Sequence, residues 1–530
     1  MRILIFHGYL LGGTGSNVYN ARLAAALSGL GHEVHLLCQD PAPERHPFVD
    51  AVGSWDQDAG LAVRVLREPV RVTVYRPNIG GVLPVYVLDR YDGFDARRFA
   101  DCTAAEIEAY IARNVSAVSE VAEQAGVDVA LANHLVMGPV ILARALGPLG
   151  IPYAVKVHGS ALEYTVKPEP ERFLPYARQG LRGARAVLVG SRHTAQSLWA
   201  ALDDPGLPSR TRLGPPGVEI GRFERREAAE AAAGLRGLAA RLSGAAPTAG
   251  PDPARQGEAA SGDAFALDGV AAGRALAGLD PASDRIVAYT GKLIVSKGVD
   301  LLLAAWPLVH ARVPRARLVV VGFGEFRGGL EDLAEALAGG DLDRARRLAE
   351  RGRELEGGVA GPLRMLIAFF DRLDADRGLE SYARAARAAA GTITFTGRLE
   401  HTDLVELLPA CDAQVVPSTF PESFGMVAAE AAACGALPIS ANHSGLAEVS
   451  RTLADAVPAA AAGWLSFDLG PHAVDDLAGR LIAWLEAPAE LRAETSAALA
   501  RAVRERYSWE GVATGVLAAA EGRLDDLERP

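Results

Sequence analysis

Apolar residues fall along this chain in short runs separated by helix-length amphipathic stretches, the rhythm of alternating strands and helices. Arg2–Leu10 is an apolar run of strand length, followed by a glycine turn, Gly12-Gly13-Thr14-Gly15. A helical pattern spans Asn17–Leu30, Gly31-His32 ends it, and Glu33–Gln39 is the next strand. Such a βαβ succession predicts a doubly wound sheet. Later strands are expected at Val127–Ala132, Tyr153–Val157 and Ala186–Gly190, with helices at Glu106–Ala125, Pro139–Leu146 and His193–Ala201 between them. The pattern then breaks. Residues 225–242 read as an Ala/Arg/Glu helix, and residues 244–264 are too rich in Gly, Ala, Pro, Ser and Asp to bury a core, so disorder is expected there.

A second βα series begins at residue 285, with strands expected at Arg285–Thr290, Ala316–Val321, Thr392–Thr396, Ala413–Pro417 and Leu437–Ala441. Between Gly324 and Gly391 lie about four helical patterns, of which Gly361–Leu373 is the most apolar. Its Met365, Leu366, Ile367, Phe369 and Phe370 form a cluster too large to leave in water. The cluster has three possible covers, its own domain, a second subunit or the acceptor entrance; the first is the expectation. Closing helices are expected over Leu491–Arg504 and Gly511–Leu527.

The chemistry concentrates in Pro417-Ser418-Thr419-Phe420-Pro421-Glu422-Ser423-Phe424-Gly425 and the helix after it, expected from Met426 to Cys434 with Gly435 at its end. Glu422 lies in the loop and Glu430 on the helix. Half loop and half helix separates the carboxylates by roughly 10 Å. The amides of Ser423, Phe424 and Gly425, at the helix N-terminus, suit an anion between them. Sugar hydroxyls, a diphosphate and ribose hydroxyls have that layout, so a nucleotide-diphosphate sugar is the ligand class expected. A bare pair of glutamates eight apart on a helix would mean little; the Pro-Ser, Phe-Gly and Cys434-Gly435 frame makes the segment specific.

Lysine usage adds to this. Of 54 Lys and Arg residues only four are lysines: Lys156, Lys167, Lys292 and Lys297. In an arginine-dominated chain, a retained lysine marks a place for a compact ammonium rather than a planar fork. Lys292 and Lys297 share one loop after the strand Arg285–Thr290, where two cations can clamp a diphosphate and neutralise its charge as it leaves.

These segments together resemble the retaining GT-B glycosyltransferases of the glycosyltransferase family 4 (group 1) kind, with their E-x7-E segment, R/K-x4-K phosphate motif, first-strand glycine turn and His-Gly strand end. The resemblance covers most of residues 1–223 and 285–525. It implies an α/β GT-B fold: two Rossmann-like domains facing across a cleft, with a C-terminal helix crossing back to the first. The domains expected are an acceptor-side domain over 1–213, an interdomain segment with an insertion over 214–284, and a donor domain over 285–505 with a helical insertion at about 328–390. The returning helix is expected over 506–530. By the same resemblance Glu422 holds the donor sugar and Glu430 the ribose, while Lys292 and Lys297 clamp the phosphates. His158, in Lys156-Val157-His158-Gly159, neighbours the sugar. Gly13 lines the phosphate and acceptor side, and Gly322 and Arg398 border the nucleotide. Glu448 matches a glycine-then-Glu position, but His443-Ser444-Gly445 stands where the family has two glycines.

Composition narrows the alternatives. The formal net charge is −11, and charges balance over residues 1–215, so the later part carries all the excess acid. This argues against nucleic acid and against general attraction to anionic membranes, leaving peripheral membrane contact through a local patch open. No apolar run reaches membrane-spanning length, and Met1–Leu11 reads as a strand rather than a signal peptide. Cys38, Cys102, Cys411 and Cys434 show no paired spacing, which fits a reducing cytoplasm and no zinc. No Asp-x-Asp follows a strand of the second series, so no metal or other cofactor is expected. The activity expected is transfer of a sugar from a nucleotide-diphosphate sugar to an acceptor hydroxyl, with retention. The acceptor is left as an unspecified sugar, lipid-linked or small molecule. The rivals are a sugar-nucleotide epimerase, a phosphorylase on the same fold, and a non-catalytic nucleotide-sugar binder.

Overall fold

A computed structural model of the chain describes all residues except 13, 57–59, 87–92 and 245–268. Two compact units emerge: residues 1–217 together with 507–530, and residues 218–506. Most of the stretch expected to be disordered, and Gly13, lie outside the described residues.

The first unit is built on nine strands: β1 (Arg2–Phe6), β2 (Glu33–Leu37), β3 (Ala51–Asp56), β4 (Gly60–Val65), β5 (Val72–Arg76), β8 (Val129–Asn133), β9 (Tyr153–Val157), β10 (Ala186–Val189) and β11 (Thr211–Leu213), with β6 (Val82–Val85) and β7 (Asp95–Arg98) pairing separately. The sheet order is β11-β10-β9-β8-β1-β2-β5-β3-β4, parallel except for the antiparallel β3–β4 edge. Strand β1 shows why the sheet is covered on both faces. Leu4 and Phe6 point into one core and Ile3 and Ile5 into the other, and all four are nearly fully buried. The helix Trp509–Glu521 fills the second core with Trp509, Ala513, Val516 and Ala520, which is why the chain end belongs to this unit. The helix Ala104–Ala125 starts on a Thr103–Glu106 capping box and stops at Gly126 in the left-handed region. Strands β3 to β7 had no counterpart in the sequence reading. Strand β7 is short and charged and β4 is almost wholly exposed, so these two lack the apolar signature of the central strands, whereas β5 is a buried apolar run that the sequence reading passed over.

The second unit carries a six-stranded parallel sheet of β12 (Arg285–Thr290), β13 (Ala316–Val321), β14 (Ile393–Gly397), β15 (Ala413–Val416), β16 (Leu437–Ala441) and β17 (Ser466–Phe467). Its order is β14-β13-β12-β15-β16-β17. The chain reverses its direction of travel at the β12–β15 pair, so the loops after these two strands are neighbours at the sheet's C-terminal edge, the usual ligand position in such sheets. The helical insertion comprises Arg327–Gly339, Leu342–Arg351, Arg364–Ala375 and Leu379–Ala388. Leu366, Phe369 and Phe370 are buried within this unit, with Phe369 edge-on to Tyr382 at 5.2 Å. Tyr382 donates to the carbonyl of Ala304, in the helix Val299–Arg312, at 2.7 Å. The apolar insert thus packs on its own domain. All four cysteines are buried and unpaired. Among the described residues no helix is long and apolar enough to cross a membrane.

Candidate active site

At the C-terminal edge of the second sheet, the β12 loop forms a tight turn, Val295–Lys297, and closes on Gly298. Gly298 has φ +65°, and a Cβ there would lie 2.1 Å from the Pro417 carbonyl oxygen, so the two loops touch only because this residue is glycine. The Thr419 N–H donates to the Ser296 carbonyl at 2.9 Å. Across this contact the Lys297 ammonium pairs with Glu422 Oε1, which also accepts from Ser418 Oγ at 2.7 Å. Both charged groups are a little over a quarter exposed, so the pair borders solvent. Beneath them the Tyr289 phenol is pushed up, chiefly by burial and then by the Glu422 charge, and donates to the Lys292 carbonyl at 2.8 Å.

The donor loop is fixed from its other side. Glu422 N–H donates to Ser444 Oγ at 2.9 Å, and its carbonyl accepts from Gly445 N–H at 2.9 Å. His443 Nε2 donates to the Ser418 carbonyl at 2.7 Å. Ser444 takes φ 51°, so it occupies the left-handed conformation that a glycine would adopt more readily, and its hydroxyl gains a partner there. Eight residues after Glu422, Glu430 is 6% exposed and accepts from His401 Nε2 at 2.9 Å. The other His401 nitrogen lies 3.8 Å from Glu219 Oε2. Arg398 lies over the Phe323 ring, 5.6 Å from its centroid, and pairs with Glu400 at 3.1 Å.

The C-terminal edge of the first sheet is chemically different. His7, His134 and His158 follow β1, β8 and β9, and their rings lie in one cluster: His7 stacks on His134 at 5.9 Å, and His134 meets His158 at 4.9 Å. A directional chain of hydrogen bonds joins His7 and His158 to three asparagines, while His134 packs between the two rings with no hydrogen-bond partner on either nitrogen among the described residues. Asn133 Nδ2 donates to the Phe6 carbonyl at 3.2 Å and to Asn20 Oδ1 at 2.7 Å, so its Oδ1 accepts from His158 Nε2 at 2.8 Å. Asn20 Nδ2 donates to His7 Nδ1 at 3.0 Å, and His7 Nε2 to Asn17 Oδ1 at 2.9 Å. Asn17 Nδ2 ends the chain on the Gly12 carbonyl at 2.6 Å. The donor sense fixes the His158 tautomer, with the proton on Nε2 and Nδ1 left as an acceptor. Burial drives the His7 imidazole down to about 4. Burial, then neighbouring His134, Lys156 and His7, holds His158 well below its ordinary value, so the cluster is neutral at pH 7. Lys156 is also buried, over the Tyr19 ring, donating to the Gly214 carbonyl; burial lowers it to about 7.

Comparison with known proteins gives the architecture a family. Residues 14–217 match the family described as glycosyl transferase 4-like domain, and residues 376–505 match glycosyl transferases group 1. The chain belongs to the group 1, family 4-like glycosyltransferases. Among its relatives, the glycogen synthase of Mycobacterium tuberculosis is 33% identical over 243 residues, covering 44% of this chain and 50% of that protein. The D-inositol 3-phosphate glycosyltransferase of Segniliparus rotundus is 31% identical over 259 residues, covering 48% of this chain and 43% of that one. The chain thus spans about half the length of the curated relatives it matches. Solved structures of the same GT-B fold include sucrose-phosphate synthase from Thermosynechococcus elongatus, with TM-score 0.52, 17% identity and 99% of each chain covered. The Anabaena HepE complex with UDP-glucose aligns with TM-score 0.53 and 15% identity over 98% of this chain and 99% of that chain.

The structure carries Lys292, Lys297, Gly322, Arg398, Glu422, Ser423, Phe424, Gly425 and Glu430 on the second unit, in the loops after β12, β13, β14 and β15 and, for Glu430, on the helix Met426–Ala433. Lys297 meets Glu422 directly, whereas Glu430 meets His401. Gly322 crosses the β12 loop so closely that a Cβ would lie 1.9 Å from the Gly291 oxygen. His158 belongs to the first unit, inside the asparagine–histidine network. Sequence reading missed His7, Asn20, Asn133, His134 and His401. Asn133-His134 carried the same signal as His158, a polar pair ending an apolar strand beside the switch point, and was legible by the same logic. Among the described residues no three His, Cys, Asp or Glu side chains converge as a metal site requires.

Proposed function

We propose that this protein transfers a sugar from a nucleotide-diphosphate sugar to an acceptor hydroxyl, with retention of anomeric configuration and without a metal. The observation that carries the reading is the Lys297–Glu422 contact at the C-terminal edge of the second sheet, where two loops 125 positions apart close on one another. Glu422 orients the donor sugar hydroxyls. Lys292 and Lys297 hold the diphosphate. The amides of Ser423, Phe424 and Gly425, before the helix Met426–Ala433, add dipoles of the same sign. Glu430 accepts the ribose hydroxyls, set by His401, and Arg398 with Phe323 borders the base. His158, neutral with an acceptor Nδ1, faces sugar hydroxyls rather than phosphate.

In the reaction the bond from the anomeric carbon to the diphosphate oxygen breaks as the acceptor oxygen bonds to that carbon on the same face. The acceptor's proton passes to the leaving phosphate, and the lysines neutralise the charge that develops. UDP-hexoses are the first donors to test, because HepE is solved with UDP-glucose. Four buried thiols suit work in the cytoplasm.

A thermal-shift panel of UDP-, GDP- and ADP-sugars identifies the donor, since a ligand that binds the folded state raises its apparent stability. NMR of the product's anomeric proton then reads the stereochemistry. An inverted anomer refutes retention. Tight donor binding without transfer or hydrolysis favours a non-catalytic binder, and sugar interconversion without acceptor favours an epimerase.

A further inference from the structure

We propose that Glu356, from the helical insertion, is a positioning residue for the phosphate-binding lysines. This rests on reading the Lys292–Lys297 loop as the donor's diphosphate site. The turn Val295–Lys297 begins without a local cap, because the residue before it is Ile294, whose side chain accepts no hydrogen bond. Its first N–H is instead taken up by a carboxylate 61 positions away: Val295 N–H donates to Glu356 Oε2 at 2.7 Å.

That carboxylate is itself held in place. Glu356 is 12% exposed and pairs with Arg353 Nε at 3.2 Å. Arg353 N–H donates to the Gly361 carbonyl at 2.9 Å, and the Arg353 carbonyl accepts from Gly358 N–H at 3.0 Å, which closes the turn carrying Glu356 into a small ring of backbone contacts. The helix that follows is seated in the core through Leu366, Phe369 and Phe370. The opposite side of the Val295–Lys297 turn is tied to the donor loop through Thr419 and Glu422. The lysine turn is therefore gripped from two sides, by the donor loop and by the insertion. Glu356 and the lysine turn that it grips both lie outside the two matched ranges.

Charge alone argues against a carboxylate here, because it repels a diphosphate bound nearby. What Glu356 supplies is an acceptor at a fixed place. A neutral amide at the same place supplies the acceptor without the repulsion, whereas a methyl group supplies neither. This separates positioning from electrostatics.

The test measures binding to the full chain of the nucleoside diphosphate among UDP, GDP and ADP that wild type binds best, with the matching nucleoside as control. Glu356→Ala should weaken diphosphate binding about tenfold, the loss expected for one charge-assisted hydrogen bond. Nucleoside affinity and melting temperature should stay near wild type. Glu356→Gln should keep diphosphate affinity within about twofold of wild type or improve it. Equal losses for nucleoside and diphosphate, unchanged binding in Glu356→Ala, or no rescue by Gln would each overturn the proposal. Lys297→Ala separates the two readings. If it leaves diphosphate binding intact, the donor-site reading fails. If it weakens binding while Glu356→Ala does not, only the role of Glu356 fails.

Discussion

The two sheet edges differ in chemistry. The first presents neutral groups: His7, His158 and three carboxamides wired into one directional hydrogen-bond chain, with His134 packed against both rings. The second presents opposite charges that border solvent and are held by loop-to-loop contacts. A neutral, pre-set network suits hydroxyl groups, because it offers defined donors and acceptors without drawing in an anion. A lysine–glutamate edge suits a ligand that is itself an anion flanked by hydroxyls. The difference teaches that burial decides which kind of site each edge becomes: it drives the His7 imidazole down to about 4 and Lys156 down to about 7, while the Lys297–Glu422 ion pair borders solvent.

The largest expected effect comes from discharging the second edge. Glu422→Gln and Lys297→Ala should each lower turnover by about 10²- to 10³-fold, the usual cost of removing one preorganised charge or donor. Glu430→Gln should mainly raise the nucleotide dissociation constant. Steady-state kinetics with direct nucleotide binding checks this, and wild-type turnover in Glu422→Gln refutes its role.

Acidification should act on the two units with opposite sign. His7 titrates near 4 when folded and near 6.5 unfolded. As pH falls from 6.5 to 4 the unfolded chain takes the proton first, so the first unit loses stability, by roughly 3 kcal/mol for His7 alone. His134 and His158 add in the same direction. Asp300, buried in the second unit, is raised from 3.8 to about 7. Over that interval the folded state takes its proton first, so falling pH stabilises, by about 4 kcal/mol in full. Denaturant titrations should find Asp300→Asn more stable than wild type at pH 7 and above, with the advantage gone near pH 4. A constant difference across pH would remove Asp300 from the comparison.

Cutting the neutral network should cost less. Asn133→Leu strands the Phe6 carbonyl, Asn20 Oδ1 and His158 Nε2, for a loss of about 1–3 kcal/mol. It also frees His158 to take the other tautomer, which ¹⁵N NMR of the imidazole reads directly. An unchanged tautomer and melting temperature would show that the network does not set His158. The smallest expected effect is that of EDTA. Activity should survive it, because the lysines supply the counter-charge; complete loss, restored only by Mg²⁺ or Mn²⁺, would refute metal independence.

The legible part of the site was local. Glu422, Glu430 and the frame around them lie within one loop and one helix, the range over which sequence spacing acts. Lys292 and Lys297 stood out because lysine is so scarce in this chain. The central strands were legible because burial on both faces demands continuous apolar runs, as at β1 and β8. Strands β3 and β4 were not, because an exposed edge makes no such demand.

What the sequence determined by itself was therefore the two βα series and the local placement of Lys292, Lys297, Glu422 and Glu430 on them. Periodicity and composition act over a few residues, and those choices were made within a few residues. Only the tertiary structure decided the partners: Lys297 with Glu422, Glu430 with His401, Val295 with Glu356, His158 with Asn133. Each pairing joins residues between 25 and 125 positions apart through strand order and loop closure, and no local pattern encodes which distant group will fill a given hydrogen bond.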